Sequence, residues 1–240
     1  MEERLALGVE SRRDIGRLLE SIERKIYAAW RSYAALAFAY WIPILNCYMA
    51  ITSTAWFQGL DSRSRGLVTA AYWFLIGVAG AGLSLRYLAR YLSRLEAAGY
   101  RKGKACGKIE LAGWIAGMLA SLLLYDSMVA VYGKQRANAA WLLLFIAVGT
   151  GSVALREYCT VREYPTRPYT VPRSLVASLL SALGLGLLPL TPPSAYASMV
   201  FAASLVTLGY SIVVILYVLD SFRLVVGQGE EMVERDMHER

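Results

Sequence analysis

Apolar blocks close to twenty residues long recur along this chain, and they decide what it can fold into. A helix needs ~20 apolar residues in a row to cross the ~30 Å hydrocarbon core of a bilayer. Only helices and closed barrels satisfy every backbone polar group there. Six such blocks can be read, at 33–57, 67–85, 111–132, 138–155, 174–190 and 196–219. The expected fold class is therefore an all-α integral membrane protein, a six-transmembrane-helix bundle. Composition agrees: 57% of residues are hydrophobic, against ~45–50% in soluble domains. Three regions follow, a cytoplasmic or interfacial helix at 1–32, the bundle at 33–219 and a charged tail at 220–240. The first twenty-five residues are highly charged and have no apolar h-region, so no cleaved signal peptide is expected.

Orientation follows from the basic residues. Of 25 Lys and Arg, 21 fall in the N-terminal segment, the 86–110 and 156–173 connections and the C-terminal tail. The other side carries four, Arg63, Arg65, Lys134 and Arg136. The positive-inside rule places the 21 in the cytoplasm. Six spans then give an N-in/C-in, multi-pass protein of the cell membrane with both termini cytoplasmic. The net charge of +7 reflects this asymmetry. The expected partner of the basic belts is anionic lipid headgroups, and nucleic acid is not expected.

The N-terminal segment is patterned as a helix. Ser11-Arg12-Arg13-Asp14 is close to a capping box. Ile15, Leu18, Leu19, Ile22, Ile26, Ala29, Trp30 and Tyr33 then recur at helical spacing, opposite a basic face. Such a helix either lies in the inner interface or packs on cytoplasmic extensions of other helices. After the second span, Arg86, Arg90 and Arg94 form a basic edge at i, i+4 spacing beside a leucine stripe. This edge is either solvated or docks an anionic headgroup or a partner. In the 156–173 connection Arg-Glu-Tyr occurs twice, and Pro165 biases Tyr164 away from helix, so a helix continuing span four should end near there. Spans two and four share Ala-Ala-aromatic and Gly-x-Gly at a constant offset of 69, a weak internal repeat.

Within the spans as bounded above, Asp126 is the one charged residue. A charge at the helix centre costs ~2.5–3.5 kcal/mol on insertion scales, so intramembrane carboxylates face a wet cavity, a partner or a transport path. Counting inward from Tyr132 puts Asp126 ~9 Å deep in a straight helix. The same count in span one reaches Thr52, Ser53 and Thr54. Tyr125, Asp126, Ser127 and that run are thus expected to form one polar layer, either a pathway or hydrogen-bonded glue. Pro43 removes a backbone donor and should kink span one, with Asn46 beside the freed carbonyl. Gly113 and Gly117 form a GxxxG pair, which allows close helix approach or dimerisation.

No catalytic constellation, metal site or cofactor is expected. His238 is the single histidine and lies in the tail. The three cysteines form no Cys-x-x-Cys pair, and so no zinc ligand set. Cys106 and Cys159 lie in two cytoplasmic connections, where a disulfide is expected only in a hyperthermophile. Low Asn and Gln point weakly that way, and the scarcity of Lys points against it. Glu110, Glu157 and Asp220 sit at the inner boundary, where ion pairing with nearby arginines is favoured over metal binding. The function classes in order are a small transporter or channel for an ion or small solute; a non-catalytic scaffold or accessory subunit of a membrane complex, docking partners through its basic cytoplasmic helices; and a lipid-modifying enzyme, which the missing acid–base set disfavours. The transporter reading admits a homo-oligomer.

Overall fold

A computed structural model describes residues 2–76, 79–80, 104–163 and 171–238, with side chains chiefly over 27–76, 108–159 and 171–225. The described chain is helical, with no strand among the described residues. Its elements are α1 (Glu2–Ser53), α2 (Ala55–Gly59), α3 (62–76), α4 (Lys104–Leu123), α5 (Tyr125–Tyr132), α6 (Ala137–Glu163), α7 (Leu175–Leu187) and α8 (Ala195–His238). A 3₁₀ turn, Leu188–Leu190, extends α7.

Among the described residues three helices are long and apolar enough to cross a bilayer: Tyr27–Ser53, Ala137–Cys159 and Ala195–Val225. A fourth is added if the bent pair α4–α5 counts as one span. The expected fifth span is shorter than its neighbours. Leu175–Leu190 is sixteen residues, about 24 Å at ~1.5 Å per residue. The expected second span is described only to 76 and at 79–80. The rest of it, the Arg86, Arg90 and Arg94 edge and the second half of its repeat with span four lie outside the described residues.

Two compact units make up the chain, Met1–Leu36 with Val214–Arg240, and Ala37–Val213. In the first, the N-terminal part of α1 meets the C-terminal part of α8. The buried face of α1 there carries Tyr27, Ala28, Arg31 and Ala35. Leu18, Ile22 and Tyr33 from the predicted apolar stripe are exposed. α1 runs unbroken from Glu2, well before the predicted capping box, so the amphipathic segment and the first span share one helix assignment of 52 residues.

In the second unit α6 is the central helix, packed against both α4 and α7. Small residues set these contacts. A Cβ on Gly113 would collide with Ser152, and one on Gly149 would collide with the Trp114 ring. A Cβ on Gly117 would lie 3.2 Å from the Phe145 carbonyl oxygen. The GxxxG pair therefore serves packing of α4 on α6 inside one chain. On α7, Ser174, Ala177, Ser181, Gly184 and Leu188 form the buried stripe. Gly209 of α8 approaches the Ala177 Cα to within 3.1 Å of a built Cβ. α1 meets α3 through aromatic groups: Tyr72 donates to the Ile44 carbonyl at 2.7 Å, and Tyr48 contacts the Tyr72 and Trp73 rings.

Candidate functional site

The third block, expected as one helix over 111–132, is broken. α4 ends at Leu123, α5 begins at Tyr125, and their axes differ by 57°. Leu124 lies between them at φ −91°, ψ 3°, in the sparsely populated bridge region. The sequence carries no proline or glycine at this point, so periodicity alone could not reveal the break. Leu124 N donates to the Ala120 carbonyl at 2.9 Å, and Met128 N donates to the Leu124 carbonyl at 2.9 Å. The carbonyls of Ser121, Leu122 and Leu123 close α4 without a partner in their own helix, as the end of any helix must. No side chain caps the start of α5. Its far end stops at Gly133, whose φ of 80° suits glycine and whose amide donates to the Val129 carbonyl at 3.0 Å.

Asp126 falls in the first turn of α5 and is exposed, as is Ser127. A carboxylate there is favoured by the positive end of the helix dipole. Among the described residues Asp126 makes no hydrogen bond or ion pair. Tyr125 is half-buried and donates to Asn138 Oδ1 at 2.8 Å, which fastens α5 to the start of α6. Met128 is the buried residue of α5. The bend changes the depth estimate. With α4 along the bilayer normal, a 57° tilt reduces the axial distance from Tyr132 to Asp126 from ~9 Å to ~5 Å.

Thr52, Ser53 and Thr54 donate back to their own helix, to Met49, Ala50 and Ile51 carbonyls at 3.1, 2.7 and 2.8 Å. Thr54 also accepts from Phe57 N at 3.2 Å and so starts α2. No hydrogen bond joins this run to Tyr125, Asp126 or Ser127 among the described residues. Pro43 lies inside α1, which continues as helix through it. Asn46 is exposed and donates to the Ile42 carbonyl at 2.9 Å, one turn back, and not to the carbonyl of Ala39, the one Pro43 leaves without its helical donor.

At the other end of α4 and α6, Glu110 pairs with Arg156. Glu157 is fully buried and accepts from the Arg173 backbone amide at 2.8 Å, just ahead of α7. One acid of Arg-Glu-Tyr thus ties α6 to the approach to α7. α6 is described as far as Glu163, and Tyr164 and Pro165, where the helix is expected to stop, lie outside the described residues. Among the described residues no group of three His, Cys, Asp or Glu is placed to hold a metal ion. Cys47 is an exposed free thiol and Cys159 is disulfide-bonded. The side chain of Cys106 lies outside those described.

Three charged side chains, Arg31, Asp220 and Arg223, lie inside the candidate spans but outside the bounds set at 33 and 219. Arg31 and Asp220 are both buried in the first unit. Arg31 donates to the Tyr27 hydroxyl from Nε at 3.1 Å and from Nη2 at 2.6 Å. Its guanidinium lies 5.1–5.2 Å from the ring centres of Tyr27, Trp30 and Tyr217, within cation–π range. The signal was present in the sequence, since Tyr27, Trp30 and Arg31 share one helical turn. Ser32 and Ser221 meet one turn away, 2.8 Å between hydroxyls, and Ser221 also donates to the Ala28 carbonyl.

No protein-family model, curated protein or solved structure matches this chain.

Proposed function

We propose that this chain is a small transporter or channel for an ion or small solute, with its pathway at the α4–α5 break beside Asp126. The observation that carries the reading is a span broken by 57° with an acidic residue in the first turn of its second half. Discontinuous helices of this kind build substrate and ion sites in membrane transporters. They present helix ends and unpaired backbone where a continuous helix presents only side chains. In this reading Asp126 and Ser127 line the path, and Tyr125 holds α5 to Asn138. Thr52, Ser53 and Thr54 stand as a second polar group on α1. Pro43 and Asn46 mark where α1 can flex.

The bundle in this proposal has six spans, N-in and C-in, in the cell membrane, with anionic headgroups against its basic side. Asp126 is on an exposed face of a single chain, so its path runs between this chain and a neighbour, which we take to be a second copy. A carboxylate left against lipid tails would carry the insertion penalty without return. The test is flux in reconstituted vesicles. Asp126→Asn should reduce flux or shift its pH dependence, and unchanged flux with lowered thermal stability would assign Asp126 to helix glue.

A second reading, the scaffold or accessory subunit, draws on a different observation. The chain ends form a compact unit of their own, Met1–Leu36 with Val214–Arg240, which in this reading docks a partner. Deleting residues 1–26 should then abolish co-purification of that partner, and retention of every partner would count against docking there.

A further inference from the structure

One end of the α4–α6 contact holds two cysteines. We infer that Cys106 and Cys159 form a redox-sensitive pair, a disulfide that clamps the start of α4 to the end of α6 and opens by exchange with a thiol reductant. The pair governs how α4 is held, whatever passes the break at Leu124, so it is independent of the pathway reading above.

Two observations converge on the pair. The first is elimination. Cys159 is disulfide-bonded and Cys47 is a free thiol. The chain has three cysteines, so Cys106 is the one partner it can supply to itself. The second is register, read from side chains other than the cysteines. A Cβ on Gly117 would lie 3.2 Å from the Val148 Cβ, and one on Gly113 would collide with Ser152. Glu110 pairs with Arg156, and the Ser152 hydroxyl donates to the Glu110 carbonyl at 3.3 Å. α4 and α6 are therefore antiparallel, and these positions, three or four residues apart, share one face of each helix. Cys106 is seven residues before Gly113, and Cys159 is seven residues after Ser152. Seven residues are about two helical turns, so the two cysteines fall at matching places on the same seam.

The place of the bond suits exchange. Cys159 is half-buried and is the last residue of the candidate span Ala137–Cys159. Cys106 is the third residue of α4. The bond thus lies where the apolar run ends and a water-soluble thiol has access, as exchange requires. In the orientation proposed above this is the basic, cytoplasmic side, where disulfides of mesophiles are transient or redox-sensing. A thiolate of the reductant attacks one sulfur, the Cys106–Cys159 bond breaks, and the leaving cysteine takes up a proton. A second thiol attacks the mixed disulfide, releases the other cysteine as a thiol and leaves the reductant as a disulfide. Two electrons and two protons pass from the reductant to the protein. The bond closes the chain from 106 to 159, a segment that contains α5 and the break at Leu124. Once it opens, the start of α4 is held by the Glu110–Arg156 pair and the glycine contacts.

The experiment is a redox titration of the full-length protein. It is equilibrated in detergent with glutathione buffers of increasing reduced fraction, then denatured with a maleimide that adds a fixed mass to each free thiol. One thiol, Cys47, should be modified at the oxidised end and all three at the reduced end, and the change should reverse on reoxidation. Reduction should lower the melting temperature by ~5–15 °C. Cys106→Ser and Cys159→Ser should each melt like the reduced wild type with no further drop on reduction, while Cys47→Ser keeps the full drop. The wild-type titration decides the matter even where a variant fails to fold. Three modified thiols in the oxidised protein would overturn the bond. A reduction-sensitive dimer on an unreduced gel would overturn the pairing within one chain. A bond that stays closed in every glutathione buffer would be a static brace of the hyperthermophile kind and would overturn the redox role. An unchanged melting temperature on opening would overturn the clamp.

Discussion

Arg31 and the interhelical glycines show how much single side chains decide here. The Arg31 guanidinium is enclosed by Tyr27, Trp30 and Tyr217 and bonded to the Tyr27 hydroxyl. Arg31→Ala would remove both contacts and leave a void, at a cost of ~2–5 kcal/mol. Arg31→Lys keeps the charge and loses the planar fork, so it should fall between the two in a thermal melt. The glycines make the complementary case. Gly113→Ala or Gly149→Ala must push aside Ser152 or the Trp114 ring, and overpacking of this sort costs ~1–3 kcal/mol. Gly186 has nothing within 4 Å of a built Cβ, so Gly186→Ala should leave stability unchanged or raise it slightly, since helical Ala is favoured over Gly. Equal melting points for all three variants would mean that α4 and α6 do not pack as described.

At the scale of the element, the helix starts and stops separate what periodicity can announce from what it cannot. Asp61 opens α3: its carboxylate accepts from the amides of Arg63 and Ser64 at 2.9 and 3.0 Å and from the Ser64 hydroxyl at 2.6 Å. The Ser64 hydroxyl first, then the Ser64 amide, holds its pKa below the ordinary 3.8. A depressed carboxyl stabilises the fold above its unfolded pKa, and that contribution is lost as pH falls through the lower folded value. Asp61→Ala should therefore melt lower than wild type near neutral pH, and the gap should close on acidification below 3.8. A gap constant with pH would contradict the cap. The close α4–α6 contact was legible because glycine leaves room for a neighbouring helix. The break at Leu124 was not, because Leu-Leu-Leu-Tyr is good helix sequence and only packing decides where it bends. Asp126 was therefore legible as a candidate, while its place on a half-helix was not. The face of α1 that packs inside the first unit was not legible for a related reason. The buried side follows Tyr27, Arg31 and Ala35, and an arginine at its centre is invisible to an apolar count.

At the scale of the whole molecule, the described residues are helical and hold three or four candidate membrane spans, two of them within helices much longer than a bilayer. α1 has 52 residues and α8 has 44, ~78 and ~66 Å at 1.5 Å per residue, against a ~30 Å hydrocarbon core. Both carry charge on the parts beyond the apolar windows. A disulfide involving Cys159 should appear as a linked peptide in an unreduced digest and vanish on reduction, and a free Cys159 thiol would contradict it. The broken span at Asp126 is the point on which the functional account turns, and its access to water is the quantity to measure. Single cysteines at 122, 126, 127 and 134, in a Cys47→Ser background, would be exposed to a membrane-impermeant thiol reagent in sealed vesicles. A pathway predicts labelling at 126 and 127 as well as at 134, slowed by transported solute. Labelling at 134 with none at 126 or 127 would place Asp126 away from water and contradict the account.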